Sequence, residues 1–370
     1  MLLTVNTGSS SIRLEAFELK EGRPESIQAK LYELDDQVPE RLLREYFDQF
    51  GFLKPDAVSH RVVHGGTSLV ESTVIDAQVE IEIARLIPLA PLHNPMALAW
   101  INASQAFCGP DVPQIAVFDT AFYAALPPVA STYAFPVELA RVYDVRRYGF
   151  HGLAHQALWQ RWHELNPKYG DNQGRAISLQ LGAGCSVTAV EDGRPKDTSM
   201  GFSPLEGLVM ATRSGDIDPG LIIYLQKQHE MSPSEIEQIL NYDSGLLGLS
   251  GESADMRLLL ESKNPQAELA ISLYCYRITK YIGAYLTVLG GADAILFGGG
   301  VGENAPLIRK YILDALKWCG VKPDEQANTG LVGKEGKISR ESSSIEAWVI
   351  SVDEATILAR EAAAVLQPHL

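Results

Sequence analysis

A three-part pattern occurs twice along this chain in the same order, and it restricts the fold more than any other feature. In the first copy, the apolar run at residues 2–5 stops at Asn6-Thr7-Gly8-Ser9-Ser10-Ser11, and apolar and polar residues then alternate over 12–17. Period-two alternation on both sides of a small-residue turn reads as a β-hairpin. Residues 176–190 repeat it around Gly182-Ala183-Gly184. A strand pattern running into a Gly-rich turn occurs at 56–66 and again at 292–302, and a strand ending in acid occurs at 114–119 and again at 347–354. The duplication predicts an α/β fold of two like domains facing each other, with a hairpin suited to phosphate on either wall of a cleft. In such a turn, backbone N–H groups, Ser hydroxyls and the nearby Arg13 can converge on one anion.

The length of 370 residues suits two domains. A net charge of −15 argues against nucleic acid as a partner, because phosphate neutralisation needs a basic surface. Cys108, Cys185, Cys275 and Cys319 are widely spaced and form no CxxC pair, so neither a disulfide framework nor a zinc site is expected. No apolar run has membrane-spanning length, and the first residues enter a strand pattern rather than a signal peptide. The expectation is a reduced, soluble, cytoplasmic protein without a membrane partner.

Between these landmarks, residues 19–49 are rich in charge and end in a helix over 40–49. Helical spacing recurs at 79–89, 94–107, from 152 to about 165, and from 303 to about 317. The chain contains no GxxxxGK[ST], and Gly298-Gly299-Gly300-Val301-Gly302 completes no GxGxxG. A strand, Gly-rich turn and helix can still bring backbone close to an anionic ligand.

Two cations stand where anions could meet them. Arg61 lies at a strand-to-turn junction, and Arg213 lies in a 197–219 segment that suits neither helix nor strand; a surface ion pair is the plainer alternative for each. His60/His64 falls in a strand context and His151/His155 lacks the Glu of HExxH, so zinc is rejected for both pairs. His93 and His151, in Pro- and Gly-flanked loops, suit donation to an anion or a simple loop role. Asp119 and Glu354 each close an apolar strand pattern, where one or two carboxylates could serve magnesium beside phosphate oxygens.

The segments 6–11, 60–66, 90–95, 118–122, 146–152, 197–219, 244–257 and 300–304 together resemble the acetate and propionate kinase family, within the superfamily of acetate and sugar kinases, heat-shock chaperone ATPases and actin. The resemblance implies two duplicated ribonuclease H-like (actin-like ATPase) domains with a nucleotide cleft between them. The first would comprise residues 1–120 plus about 355–370, and the second about 121–354. It implies reversible phosphoryl transfer from ATP to acetate, giving acetyl phosphate and ADP, with magnesium or manganese, in a homodimer.

By matching position, Arg61 and Arg213 would bind the carboxylate and the phosphoryl group. His151 would donate to that group, His93 would support it, and Asp119 would organise the metal or the attacking carboxylate. Asn6, Ser9, Ser11 and Arg13 belong to the first phosphate hairpin, Gly182 and Gly184 to the second, and Gly300 and Val301 to the adenosine pocket. Val63, Leu92, Phe150 and Pro204 match the pocket for the substrate methyl group. Asn6 and Glu354 would serve the metal.

The chain departs from the family pattern at Arg13, usually Lys, and at Ala183, usually Asn. It also has a shortened segment over 14–57, Tyr123 for a usual His, and Leu153-Ala154 for Thr-Ser. The alternatives are propionate as acceptor, pyrophosphate as donor, or an actin- or chaperone-type nucleotide switch without a small-molecule acceptor.

Overall fold

The computed structural model describes residues 1–8, 11–33, 38–170 and 172–366. They divide into two compact units: residues 1–124, 150–157 and from 353 onward, and residues 125–149 with 158–352.

In the first unit, β1 (Leu2–Thr7), β2 (Ser11–Lys20), β3 (Arg23–Glu33), β4 (Ala57–Val62), β5 (Thr73–Val74) and β6 (Gln114–Phe118) form one sheet in the order β3-β2-β1-β4-β6-β5. β1, β4 and β6 run parallel, while β2, β3 and β5 are antiparallel to their neighbours. The alternation of β1 explains why both faces are covered. Leu3 and Val5 join Ile12, Leu14, Tyr46 and Trp100 under the helices Pro39–Phe50 and Asn94–Cys108. Leu2 instead packs with Phe17, Ile115 and Val117 against Ala355, Leu358 and Ala362 of the helix Glu354–Leu366.

The second unit repeats the plan. β7 (Arg175–Leu181), β8 (Cys185–Glu191), β9 (Arg194–Thr198), β10 (Ala294–Gly298), β11 (Gly336–Lys337) and β12 (Glu346–Val349) take the order β9-β8-β7-β10-β12-β11. Here β7, β10 and β12 are the parallel strands. The two sheets therefore share one topology, as the duplicated pattern predicted, and it is the plan for which the family resemblance implied ribonuclease H-like domains. The 25-residue helix Pro265–Leu289 lies on β7, β8 and β9.

Three local expectations change. The charged stretch after the first hairpin contains β3, whose apolar residues Ile27 and Leu31 are exposed, so no buried stripe announced it. The helix expected from 303 is two helices, Gly299–Asn304 and Pro306–Ala315. Pro306 has no N–H to continue the first helix and sits instead at the start of the second. Glu354 opens a helix rather than closing a strand, because residues 350–353 separate it from β12.

Candidate active site

The parallel strands β1, β4 and β6 end together, and the carboxyl ends of such strands are where α/β folds gather ligand sites. Asn6 lies near the end of β1, Arg61 near the end of β4, and Asp119 directly follows β6. Arg61 is held on three sides. Its Nε and Nη2 donate to the two oxygens of Asp119 at 3.2 and 2.7 Å. Its Nη1 donates to Asn6 Oδ1 and to Glu354 Oε2, each at 3.2 Å. The Asn6 amide closes the ring by donating to the same Glu354 oxygen at 2.8 Å. The fork geometry matches a carboxylate edge, which a lysine could not reproduce.

The electrostatics are those of one cation between two acids in a dry place. Burial pushes the Arg61 pKa down, but Asp119 and Glu354 more than offset it, so the guanidinium stays charged. Burial raises the Asp119 carboxyl above its ordinary value, while Arg61 pulls the other way. With two guanidinium donors on its oxygens, Asp119 is a carboxylate at neutral pH.

The loop carrying His151 is pressed against this cluster. His151 has a left-handed backbone, φ +59°, and a backbone hydrogen bond from it reaches Asp119. The approach depends on Gly152, where a Cβ would stand 1.9 Å from the Asp119 carbonyl oxygen. Phe150 is buried, its carbonyl accepts the Tyr123 hydroxyl at 2.9 Å, and its ring meets the His64 ring edge-on at 5.6 Å. Val63 is buried as well, whereas Leu92 is 55% exposed. His93 immediately precedes the helix Asn94–Cys108. Buried Asn94, to which sequence reasoning gave no role, accepts from the His64 N–H and donates to the His64 carbonyl. His64 accepts the Gly66 N–H on Nδ1 at 3.0 Å, and burial lowers its pKa to about 4, so it is neutral.

In the first hairpin, the Gly8 N–H donates to the Ser11 carbonyl at 2.8 Å. Ser9 lies outside the described residues. Arg13 donates from Nε and Nη2 to Glu15 at 2.8 and 2.7 Å.

In the second unit, the turn between β7 and β8 is closed by the Gly182 N–H on the Gly184 carbonyl at 3.1 Å. The Ala183 carbonyl accepts from Ala211, which ties this turn to the Arg213 segment. Gly299 has φ +76° and a backbone so close to Leu181 that a Cβ would meet it at 2.7 Å. The next residue, Gly300, is exposed and faces open space, and Val301 is half-buried. Glu303, missed from sequence, secures this helix by accepting the N–H groups of Gly299 and Val352 at 3.1 and 3.2 Å.

Arg213 is half-buried, and its Nη1 donates to the Pro204 carbonyl at 3.2 Å and touches the Met210 sulfur at 3.7 Å. Burial lowers its pKa, and the titratable neighbours beside it are the Cys185 thiol and the Tyr242 phenol, both neutral groups rather than acids. Among the described residues no carboxylate pairs with it. Arg61 is thus the cation that protein acids already hold, and Arg213 the one they do not.

The structure thus brings Asn6, Arg61, Asp119, Glu354 and the His151 backbone together in the first unit, and Arg213 and Pro204 together in the second.

Comparison with known proteins places the chain in a family. Residues 52–360 match the model of the Acetokinase family. An acetate kinase from Chloroherpeton thalassium is 47% identical over 310 residues, spanning 82% of this chain and 74% of the relative. An acetate kinase from Dictyoglomus thermophilum is 40% identical over 392 residues, spanning 97% and 98%. Among solved structures, Porphyromonas gingivalis acetate kinase superposes with a TM-score of 0.88 at 34% identity, covering 99% of both chains. A propionate kinase from Francisella tularensis also gives 0.88 at 34% identity, covering 97% and 98%. With a match over most of its length, the chain belongs to the acetokinase family.

Proposed function

We propose that this protein is an acetate kinase, transferring the terminal phosphoryl group of ATP to acetate to give acetyl phosphate and ADP. Arg213 carries the reading, as a half-buried guanidinium that no described acid neutralises and whose charge is therefore available to an anion. A carboxylate nucleophile is ionised at neutral pH and needs no general base. Catalysis then reduces to alignment and to cations around the transferring oxygens. Arg213 supplies charge to the phosphoryl group. Arg61, pre-oriented by Asp119, Asn6 and Glu354, supplies it to the acetate carboxylate and the group in transfer. His151 donates to the same oxygens, and His93 supports that region.

Asn6, Ser9, Ser11 and Arg13 form the first phosphate hairpin and Gly182 and Gly184 the second, while Gly300 and Val301 take the adenosine. Val63, Leu92, Phe150 and Pro204 enclose the methyl group. We take the domains as residues 1–120 with about 355–370, and about 121–354, with residues 150–157 of the second span packing in the first compact unit.

The residues fit magnesium, or manganese in its place. Asn6 and Glu354 offer hard oxygen atoms: Asn6 Oδ1 accepts from Arg61 and keeps a second lone pair, and among the described residues the hydrogen bonds to Glu354 land on Oε2, which leaves Oε1 for a ligand. When bound, the cation supplies neutralisation of charge on the β- and γ-phosphate oxygens. No described helix is long and apolar enough to cross a membrane, and we place the enzyme in the cytoplasm as a homodimer without a nucleic-acid partner.

The test traps acetyl phosphate as its hydroxamate from acetate, ATP and magnesium. Product that disappears with chelator supports the reading, and absence of product under all conditions sinks it. Propionate is the second reading, favoured by the equally close propionate kinase structure. Rates across two- to four-carbon acids separate the two, and pyrophosphate as donor is assayed in the same panel.

A further inference from the structure

Arg213 stands in residues 199–218, a stretch with neither helix nor strand, so its surroundings decide where the guanidinium goes. One grip comes from the start of the helix Gly245–Ser250. The N–H groups of Ser244, Leu246 and Leu247 donate to the carbonyls of Thr212, Met210 and Ala211 at 3.0, 2.9 and 3.0 Å. Gly245, at φ +60°, permits it, because a Cβ there would stand 2.3 Å from the Met210 carbonyl oxygen.

A second grip closes the neck of the loop. The Asp216 N–H donates to the Gly207 carbonyl at 3.0 Å, and the Gly207 N–H returns to Asp216 Oδ1 at 2.8 Å. The other carboxylate oxygen, Oδ2, accepts the Tyr281 hydroxyl at 2.7 Å. Tyr281 belongs to the long helix Pro265–Leu289, which also brings Arg277 Nη1 to 3.4 Å from the Asp216 carbonyl oxygen. Both carboxylate oxygens of Asp216 thus accept from the protein itself.

We propose that Asp216 and Tyr281 are positioning residues for the kinase reaction, fastening the Gly207–Asp216 neck to the long helix and so aiming Arg213. Neither touches the reacting atoms. Burial and the adjacent Asp216 charge push the Tyr281 phenol pKa up, which keeps it an O–H donor. The inference rests on the role given to Arg213 above, and misplacing such a group by about 1 Å costs up to about 100-fold in rate.

The experiment compares Asp216→Ala, Asp216→Asn, Tyr281→Phe and Arg213→Ala in the full chain, by steady-state kinetics and thermal unfolding. Asp216→Ala and Tyr281→Phe should each lower kcat about tenfold or more with the KM for ATP changed less than about twofold. Asp216→Asn keeps an oxygen for the Gly207 N–H and a polar partner for Tyr281, so it should stay within about threefold of the parent. Combined with Arg213→Ala, Asp216→Ala should add little further loss, because the two share one effect.

If Arg213→Ala itself retains turnover, the reading of Arg213 fails. If Arg213→Ala is crippled while folded Asp216→Ala and Tyr281→Phe turn over normally, the positioning role alone is overturned. Full additivity in the double variant, or Asp216→Asn as impaired as Asp216→Ala, overturns it too. Should Asp216→Ala not fold, Tyr281→Phe alone and combined with Arg213→Ala decides the matter.

Discussion

Replacing Arg61 by Ala should cost stability as well as activity, and the two losses can be separated. The change leaves Asp119, whose side chain is 1% exposed, and Glu354, at 14%, without their shared cation. Removing one partner of a buried ion pair costs about 3–5 kcal/mol, and a second acid beside the first places Arg61→Ala at the upper end. A urea titration should show the midpoint falling with the slope unchanged. The double variant Arg61→Met/Asp119→Leu removes the more buried of the two stranded charges and should recover part of the lost stability, Glu354 still lacking its cation. Hydroxamate formation should stay abolished in both.

The deficit should also depend on pH. Without Arg61, Asp119 loses the interactions that pull its pKa down, so its folded value rises further above 3.8. A carboxyl raised in the folded state loses stability as pH climbs from its unfolded pKa through its folded one. The deficit of Arg61→Ala should therefore be greatest at neutral pH and shrink toward pH 4, by about 1.4 kcal/mol for each tenfold gain in the proton affinity of the folded carboxyl. A deficit under about 1 kcal/mol at pH 7, or one that grows on acidification, would refute the reasoning.

Further tests address neighbouring elements. Gly152→Ala places a Cβ 1.9 Å from the Asp119 carbonyl oxygen, so it should displace His151, cost about 1–3 kcal/mol in urea unfolding and lower kcat more than the KM for ATP. Tyr123→Phe removes the buried hydroxyl from the Phe150 carbonyl and should cost about 1–2 kcal/mol, read by thermal unfolding, with a rise in the KM for acetate. His60 is buried, its Nε2 lies 2.8 Å from Gln114 Oε1, and burial lowers its pKa from 6.5 to about 4. A base depressed in the folded state stabilises above its unfolded pKa and loses that contribution as pH falls from 6.5 toward 4. His60→Leu should therefore flatten the acid arm of the stability–pH curve by about 3 kcal/mol at most. Arg213→Lys keeps a charge but not the fork, so kcat should drop at least about tenfold while urea stability moves less than about 1 kcal/mol.

What the sequence determined by itself was whatever local periodicity and turn chemistry encode. The strands at 2–5 and 176–181 are largely buried and each runs into a small-residue turn, so pattern alone located them and their duplication. β3 escaped because a mostly solvated strand pairing only with β2 buries no apolar stripe. Arg61, Asp119 and Glu354 could be picked out as charges at the ends of apolar strand patterns, and Arg213 as a cation in a segment that suits neither helix nor strand. The grouping of Asn6, Arg61, Asp119 and Glu354, up to 348 positions apart in the chain, was not legible, since register between β1, β4 and β6 sets it.

The same holds for the difference between the two arginines. In sequence both are isolated cations; only packing shows that Arg61 is enclosed by acids and Arg213 by a carbonyl and a sulfur. Local sequence fixes backbone preference within a few residues, whereas the partner of a charge is chosen by whichever distant strands and loops the fold brings beside it.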